Sequence, residues 1–407
     1  MKRGLDRLGN LPCDVLEQVL SCLPIKEAVR TSVLSRKWRY RWAMLSYLVF
    51  DEQCESTLDH SAFVNIVDRV LLLHIGPIYM FKLSHDSLRA TSDIDRWILQ
   101  LSRNSIKEFI LDIWRGNPYA IPSCLFSCQE IIHLELSGCL LKPLPTFKGF
   151  RSLKSIDMED VTLPQDVFEN LIVCSPLLES LSLVNWHGFT HLKINAPNLQ
   201  FLFIEGVFED IALENTSNLT GAIISLDEND DQGHVVGSSS NLLKFNVHLP
   251  QVQILQIKDY FLKYLAVGAL PRMLPKPYLY LKFLCIDIFF DDLEEILAAL
   301  CLLRSSPALQ ELKLLSLHKD KGVVREVKSW LDDNQSRQLS QLRLVEIADF
   351  HGTKAELDFI RFLLLSLPLL ESMIVTPTSE DGSSDILKKL VRFKRASVDA
   401  EIIYLDP

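Results

Sequence analysis

The chain has 407 residues, of which 48% are hydrophobic, so it can bury a large core and form about two or three domains. Its formal net charge of −10 disfavours general nucleic-acid binding, because phosphates would be repelled on average. No apolar run reaches membrane-spanning length, and nine cysteines without a C-x-x-C pair favour a reduced intracellular protein, cytoplasmic or nuclear, over a secreted one.

The N-terminal segment predicts a small module of three helices. After Pro12, apolar residues recur at helical spacing along one face of the first helix: Leu16, Val19, Leu20 and Leu23. Pro24 is expected to end this helix, because proline lacks an N–H donor. A second amphipathic turn carries Ala28, Val29, Val33 and Leu34. Ser35 is placed to cap a third short helix that bears Trp38 and Trp42. So short a module buries little apolar surface, so we expect it to dock on a partner.

This segment closely resembles the F-box of a large plant family that joins an F-box to leucine-rich repeats and a C-terminal FBD domain. Its sharpest elements are Leu11-Pro12, Leu23-Pro24 and the run Ala28-Val29-Arg30-Thr31-Ser32-Val33-Leu34-Ser35-Arg36-Lys37-Trp38. The resemblance implies binding to the Skp-type adaptor of a cullin-RING ubiquitin ligase. The residues expected to bind the adaptor are Leu11, Pro12, Leu16, Val19, Leu20, Leu23, Val29, Leu34 and Trp38. The alternative is an ordinary helical hairpin packed on the next domain.

Beyond this module the pattern apolar-x-x-apolar-x-apolar recurs, mostly at steps of 21 to 29 residues, which is typical of leucine-rich repeats. Copies begin at Ile78, Ile106, Ile131, Leu153, Leu178, Leu199, Val252, Leu281, Leu309, Leu342 and Leu370. The double step after Leu199 predicts a degenerate copy near Leu219 or Leu242. Five copies have a proline two residues ahead, which would end the preceding helix and favour extended backbone: Pro176, Pro197, Pro250, Pro307 and Pro368.

Helical stretches are predicted between the strands, each with apolar residues on one face: Asp93 to Leu101, Gln165 to Val173, Leu293 to Leu303 and Ala355 to Leu365. Alternating strands and helices predict an α/β solenoid, with parallel strands on its concave face and helices outside. A doubly wound α/β domain is the alternative. It is disfavoured because the strands are evenly spaced and no glycine-rich phosphate loop follows any of them.

The remaining segments complete the predicted organisation. Residues 227–240 are polar, acidic and rich in Gly and Ser, and predict a mobile loop between repeats. From about Gln341 the sequence looks like an FBD domain, a strand-helix-strand unit that would cap the solenoid and ends with Phe393, Ile402, Ile403 and Tyr404. The predicted domains are therefore an F-box in residues 1–47, leucine-rich repeats in 48–340 and an FBD domain in 341–407.

Signatures of metal sites are weak. Asp227, Asn229 and Asp231 imitate the start of an EF-hand loop, but Gln232 stands where glycine is needed and the twelfth position is a serine rather than a glutamate. His187 and His191 are four residues apart, yet the intervening glycine and threonine predict a loop rather than a zinc-binding helix. We therefore expect no metal and no cofactor.

Signatures of catalysis are missing from the sequence. No G-x-S-x-G motif and no P-loop occurs, and no cysteine has an activating neighbourhood. Cys124 and Cys128 are interpreted as small buried apolar residues. A group of cations near the C-terminus is interpreted as the solvated face of the cap rather than a nuclear-import patch: Lys388, Lys389, Arg392, Lys394 and Arg395.

The resemblance implies a substrate-recognition subunit of an SCF-type ubiquitin ligase that performs no bond chemistry itself. In that family the RING subunit and the conjugating enzyme transfer ubiquitin, and the F-box chain contributes proximity. The target, a protein of unknown identity, would bind the repeats. One alternative is a repeat-based interaction scaffold without a role in degradation. Another is a small-molecule receptor of the F-box and leucine-rich-repeat type, but the acidic repeats give no support for the basic inositol-phosphate pocket of such receptors.

Overall fold

The computed structural model describes residues 12–34, 38–54, 59–228, 240–318, 341–379 and 383–406. The chain divides into two compact units, Met1–Thr190 and His191–Pro407. Each unit contains a parallel β-sheet whose strands alternate with helices or turns. The predicted α/β architecture of alternating strand and helix is therefore confirmed.

The first unit holds helices α1 (Cys13–Ser21), α2 (Ile25–Arg30), α3 (His60–Leu73), α4 (Ser92–Leu101) and α5 (Gln165–Val173). Its strands are β1 (Tyr47–Asp51), β2 (Met80–Ser84), β3 (Glu108–Asp112), β4 (Tyr119–Ala120), β5 (His133–Ser137), β6 (Cys139–Leu140), β7 (Ser155–Glu159) and β8 (Ser180–Val184). A parallel sheet runs in the order β1, β2, β3, β5, β7, β8, and β4 pairs with β6.

The second unit holds strands β9 (His191–Asn195), β10 (Phe201–Gly206), β11 (Asp210–Glu214), β12 (Gly221–Leu226), β13 (Ile254–Asp259), β14 (Phe283–Phe289), β15 (Glu311–Leu317), β16 (Leu344–Phe350), β17 (Ser372–Pro377) and β18 (Glu401–Tyr404). Its helices are α6 (Asn241–Asn246), α7 (Phe261–Ala266), α8 (Leu293–Arg304), α9 (Lys354–Ser366) and α10 (Ser383–Arg392). A parallel sheet runs through β10 and then β12 to β18 in chain order, and β9 pairs with β11.

The predicted repeat positions coincide with the strands. Each of the eleven copies begins two residues ahead of a strand, and all eleven first residues are buried. The degenerate copy is the one at Leu219, which is fully buried two residues ahead of β12, whereas Leu242 lies in α6. Leu45 is likewise buried two residues ahead of β1, and the sequence analysis did not predict a repeat there. The hydrophobic spacing therefore predicted the position of each repeat strand to within one residue.

The prolines of the repeat occupy a turn rather than a helix end. Helix α5 ends at Val173, and the N–H of Leu178 donates to the carbonyl of Ser175 at 3.1 Å. The same bond joins Leu309 to Ser306 at 3.2 Å. Pro176 and Pro307 thus stand second in a four-residue β-turn, where their fixed φ suits the turn. The expected extended backbone begins only after this turn.

The four predicted helices are confirmed. Helix α5 has the predicted bounds, α4 and α8 differ from theirs by one residue at one end, and α9 differs by one residue at each end. The starts of α8 and α9 are fixed by side chains that accept otherwise unpaired N–H groups. Asp292 accepts from the N–H groups of Glu294 and Glu295, and Thr353 forms a reciprocal capping box with Glu356.

The N-terminal module differs from its prediction at two points. Helix α1 ends at Ser21, and Pro24 stands at the N-cap of α2 rather than terminating α1. The third helix is reduced, in the described residues, to turns and the 3₁₀ helix Trp42–Met44, because β1 begins soon afterwards and leaves no room for a longer helix. The predicted cap at Ser35 lies outside the described residues.

The C-terminal segment follows the predicted strand-helix-strand order and adds one more helix and strand. These are β16, α9 and β17, followed by α10 and β18. Of the predicted loop 227–240, residues 229–239 lie outside the described residues, as do most positions of the EF-hand-like pattern. The predicted domain limits at residues 47 and 340 stay predictions.

Two buried glutamates hold equivalent places in the second unit. Glu295 and Glu356 each lie six residues after the end of a strand and are 1% and 2% exposed. Glu356 accepts bonds from the hydroxyl of Ser316 (2.6 Å) and the N–H groups of His351 (3.1 Å) and Thr353 (2.6 Å). Among the described atoms, the Oε1 of Glu295 has no partner, while its Oε2 accepts one N–H. Burial raises the pKa of Glu295 to about 8.

We expect Glu295→Gln to stabilise the protein at high pH. The unfolded Glu295 ionises near pH 4.5 whereas the folded one retains its proton to about pH 8, so wild-type stability falls as pH rises between these values. The neutral amide escapes this loss, and its advantage should grow to as much as about 4 kcal/mol at pH 8.

Urea unfolding of the two proteins at pH 5 and pH 8 measures this difference. Glu356→Gln is the matched control, because its amide would face N–H donors. It should destabilise the chain by about 1 to 3 kcal/mol at neutral pH. An advantage of Glu295→Gln that is equal at both pH values would contradict the assignment.

Candidate functional site

The apolar surface of helix α1 is only partly buried. Leu16 and Leu20, one turn apart, are 2% and 0% exposed. Val15 and Val19, also one turn apart on the adjoining stripe, are 38% and 43% exposed, and Leu23 beyond the helix end is 38% exposed. One half of the apolar surface is therefore packed inside the module and the other half faces solvent.

The chain after α2 extends the exposed apolar surface. Ile25 and Ala28 are buried, whereas Val33 and Leu34 are 85% and 63% exposed. Further along, Tyr40 and Met44 are also exposed, at 64% and 50%. Isolated exposed apolar residues are normal on proteins, but a group of this size in so short a module is typical of an interaction surface.

The predicted binding residues separate into three groups. Pro12, Val19, Leu23 and Leu34 are exposed. Val29 is half-buried, and Leu16, Leu20 and Trp38 are buried. Leu11 lies outside the described residues. Val15, Val33, Tyr40 and Met44 were missed, although Val15 stands one helical turn before Val19 and could have been found from that spacing.

The module is attached to the first repeat through its backbone. The N–H of Ile75 donates to the carbonyl of Ala43 at 2.7 Å, and the Nε2 of His74 lies 2.8 Å from the carbonyl oxygen of Leu45. Strand β1 follows directly and pairs with β2 in parallel. The exposed apolar side chains are thus held by buried residues of the module and by strand pairing in the same unit.

In the sheet of the first unit, the strand residues that alternate with the core form a second face, the open face, and this face is acidic. Five carboxylates come from β3, β5 and β7 at positions that alternate with buried core residues: Glu108, Asp112, Glu135, Asp157 and Glu159. Lys82 of β2 and His133 of β5 are the basic residues among them. A field of one sign at such a surface favours partners of the opposite charge.

His133 lies between two of these carboxylates. Its Nε2 is 3.5 Å from the Oε2 of Glu135, and its Nδ1 is 3.7 Å from the Oδ2 of Asp157. The hydrogen bond with Glu135 raises the pKa of His133, with Asp157 adding to the effect, and the same bond lowers the pKa of Glu135. The pKa of Asp157 is raised by burial. Protonated His133 therefore offsets part of the negative charge at this point.

The open face of the sheet in the second unit is apolar at its amino-terminal edge. Register places Phe201, Gly221, Ile254 and Phe283 side by side on successive strands. Phe201 and Ile254 are 40% and 44% exposed. A Cβ on Gly221 would lie 3.0 Å from the ring of Phe201, so the glycine leaves space for that ring. Further along, Lys313 pairs with Glu346 at 3.4 Å.

The described residues offer no metal-binding group of three or more His, Cys, Asp or Glu side chains. Burial raises the pKa of Cys128, Cys285 and Cys301 to about 11 each, so these thiols are poor nucleophiles at neutral pH. His187 bridges to Thr162 in the first unit, and His191 begins β9 in the second. In the same described ranges, none of the helices is both long and apolar enough to cross a bilayer.

Family models match both parts of the chain. The model of the F-box domain matches residues 8–50, which include the exposed apolar group. The model described as "FBD-associated F-box protein At5g56370, LRR repeats" matches residues 94–314, which include β3 to β14 and the first half of β15. The repeat model alone covers more than half of the chain.

Whole proteins from Arabidopsis thaliana are similar over the full length. The F-box/FBD/LRR-repeat protein At1g13570 is 39% identical over all of both chains. The putative FBD-associated F-box protein At5g50270 is 28% identical over 92% of this chain and 98% of its own. The probable FBD-associated F-box protein At1g32375 is 24% identical over 98% of this chain and all of its own.

The chain belongs to the plant F-box/FBD/LRR-repeat family. The predicted F-box and leucine-rich repeats are thereby confirmed. F-box and leucine-rich-repeat proteins are, in general, non-catalytic substrate adaptors of SCF-type ubiquitin ligases, and an F-box implies binding of a Skp-type adaptor. In this member the F-box contributes the exposed apolar group, and the repeats contribute the open sheet faces.

We expect His133 to titrate above its ordinary pKa of about 6.5, because both neighbouring carboxylates favour its charged form. In Glu135→Gln the pKa of His133 should fall, since the bond to a carboxylate is lost. Protonation of His133 stabilises the fold below pH 6.5, and this contribution disappears as pH rises through its folded pKa. Histidine ring shifts in NMR titrations of both proteins measure the change. Equal pKa values in the two proteins would be inconsistent with the assigned contact.

Proposed function

We propose that this chain is the substrate-recognition subunit of an SCF-type cullin-RING ubiquitin ligase. The F-box would bind the Skp-type adaptor, and the repeats would hold a target protein for ubiquitination. The observation that carries the proposal is the apolar surface of α1, of which one half is buried within the module and the other half is exposed without a described partner.

In this proposal the predicted binding residues have two roles. The exposed Pro12, Val19, Leu23 and Leu34 contact the adaptor, and Leu11 next to Pro12 is included with them. The buried Leu16, Leu20 and Trp38, with the half-buried Val29, hold the exposed side chains in place. Val15 and Val33 are added to the contact because they are exposed beside Val19 and Leu34.

The target is proposed to bind the open faces of the two sheets. The acidic face of the first unit favours basic segments of a protein. The exposed Phe201 and Ile254 of the second unit supply the aromatic and aliphatic area on which protein contacts depend. The chain itself would transfer nothing. Its contribution is the high effective concentration of target lysines near the conjugating enzyme, inside the cell.

Val19→Ala with Leu23→Ala should abolish most adaptor binding. Buried interface anchors typically contribute about 2 kcal/mol or more each, so the double variant should bind roughly a thousandfold more weakly. Both side chains are exposed in the free chain, so its stability should change by no more than about 0.5 kcal/mol.

The matched control is Leu72→Ala with Leu73→Ala, which removes two leucines that are 81% and 55% exposed on α3, outside the F-box. Adaptor affinity is measured by titration calorimetry, and folding by circular dichroism on the same preparations. Undiminished binding by a folded Val19 and Leu23 double variant would exclude the proposed contact.

The same double variant separates a ligase subunit from a scaffold. It should retain its target on the repeats without presenting it, so its excess in cells should lengthen the lifetime of that target. The target is identified first by affinity purification with the proteasome and cullin activation blocked. A target whose lifetime is the same with wild-type chain, double variant and no chain would favour the scaffold.

The double variant suits this experiment better than deletion of residues 1–47. Deletion would remove Tyr47 from β1 and the buried Leu45 ahead of it. It would also remove the backbone partners of Ile75 and His74. Loss of target after such a deletion would therefore report damage to the first repeat as well as loss of the F-box.

A further inference from the structure

A pocket of about 330 Å³ lies in the first unit, away from the F-box and from the open face of the sheet. Two segments enclose it, one around the 3₁₀ helix Leu125–Ser127 and one covering residues 144–151. Its volume is within the usual range for small-molecule sites, which begins at about 300 Å³.

The lining is basic although the chain as a whole is acidic. Lys148 and Arg151 line the pocket, and no carboxylate does. Neither cation has an ion-pair partner among the described residues, whereas nearby Lys154 is paired with Glu179 at 2.8 Å. The hydroxyls of Ser123 and Thr146 also line it as further hydrogen-bond donors. Two cations and two hydroxyl-bearing residues that line one pocket without a carboxylate favour an anion of the phosphate class.

The floor of the pocket is apolar and held in place. Phe126, Phe147 and Phe150 pack together with ring centroids 5.0 to 6.3 Å apart. The Nε2 of Gln129 donates to the carbonyl of Gly149 at 3.2 Å, which ties one wall to the other. Phe126, Phe147 and Leu144 reach the pocket surface and could contact an apolar ligand body.

Gly149 packs the backbone between the two cations closely against a neighbouring segment. Its φ of 74° is in the left-handed region, and a Cβ there would lie 2.6 Å from atoms of Cys174. The loop between Lys148 and Arg151 therefore lies directly against the end of α5. Such close packing fixes the backbone from which both side chains project.

We propose that this pocket binds a phosphate monoester carried on an apolar, ring-sized body. The phosphate would accept bonds from Lys148, Arg151 and the hydroxyls, and the body would lie on Phe126 and Phe147. The proposal does not depend on the ligase function, because none of these residues belongs to the F-box or to the open sheet faces.

Phenyl phosphate is the probe, followed by ³¹P NMR and by saturation transfer to its ring protons. We expect a dissociation constant of about 1 mM or tighter. Inorganic phosphate and phenol should each bind at least roughly tenfold more weakly, because each lacks one half of the ligand. Equal binding of phenol and phenyl phosphate, or no binding of phenyl phosphate at about 10 mM, would overturn the proposal.

Lys148→Ser with Arg151→Ser should weaken phenyl phosphate binding by roughly tenfold or more. Arg103→Ser with Lys142→Ser removes the same charge from exposed positions outside the pocket and should leave binding unchanged. Thermal unfolding checks each fold, and Lys148→Ser alone replaces the double variant if that one unfolds. Equal weakening in the two double variants would show a general charge effect and reject the site.

N-acetyl-phosphotyrosine amide distinguishes the source of the phosphate. Binding tighter than that of phenyl phosphate indicates a phosphorylated side chain of a protein, and weaker binding indicates a small molecule. Both rankings support the pocket as the site. Adaptor binding should be unchanged in every pocket variant, so the outcome here and the outcome for the proposed function are independent.

Discussion

The fold depends on one repeated interaction, the burial of an apolar side chain two residues ahead of the strand in each repeat. Leu178 and Leu309 are 1% and 3% exposed in this position, and each of them closes the turn that comes before its strand. Parallel pairing places the equivalent residues of successive repeats side by side, so each repeat covers the apolar side of the next. Removing one such leucine would leave a cavity, at a cost of about 2 to 5 kcal/mol.

This packing uses one face of each sheet and leaves the other for partners. Residues that alternate with the core along each strand form the open faces, acidic in the first unit and apolar around Phe201 in the second. The F-box divides its residues in the same way within a single helix. Leu16 and Leu20 pack inward, and Val15 and Val19 face outward, so one helix both stabilises the module and presents its proposed contact. In both the sheets and the helix, buried side chains stabilise the fold and the exposed side chains next to them are available for recognition.

Sequence spacing predicted the repeats well, because the buried leucine, the turn proline and the strand recur in a fixed order. It could not tell which half of the α1 stripe is buried, since Leu16 and Val19 are both apolar and only packing inside the module, where α1 contacts the 3₁₀ helix Trp42–Met44, distinguishes them. The third helix was predicted from a cap at Ser35 and from the two tryptophans, and the early start of β1 overrode that signal. One available signal was unused: Asp160 and Asn185 follow their strands with φ of 49°, a conformation that Asp and Asn tolerate. The proposed phosphate pocket is formed by two segments that are some twenty residues apart in the sequence, so no local sequence pattern could have predicted it.

The central claim is that the exposed half of the F-box apolar surface is the adaptor contact. Hydrogen–deuterium exchange of the intact chain, alone and with a Skp-type adaptor, tests it most directly without altering any residue. The account predicts that the adaptor slows exchange in residues 13–34 and 40–44 and leaves the strands of both sheets unchanged. Slower exchange along the strands with no change in residues 13–34 would contradict it.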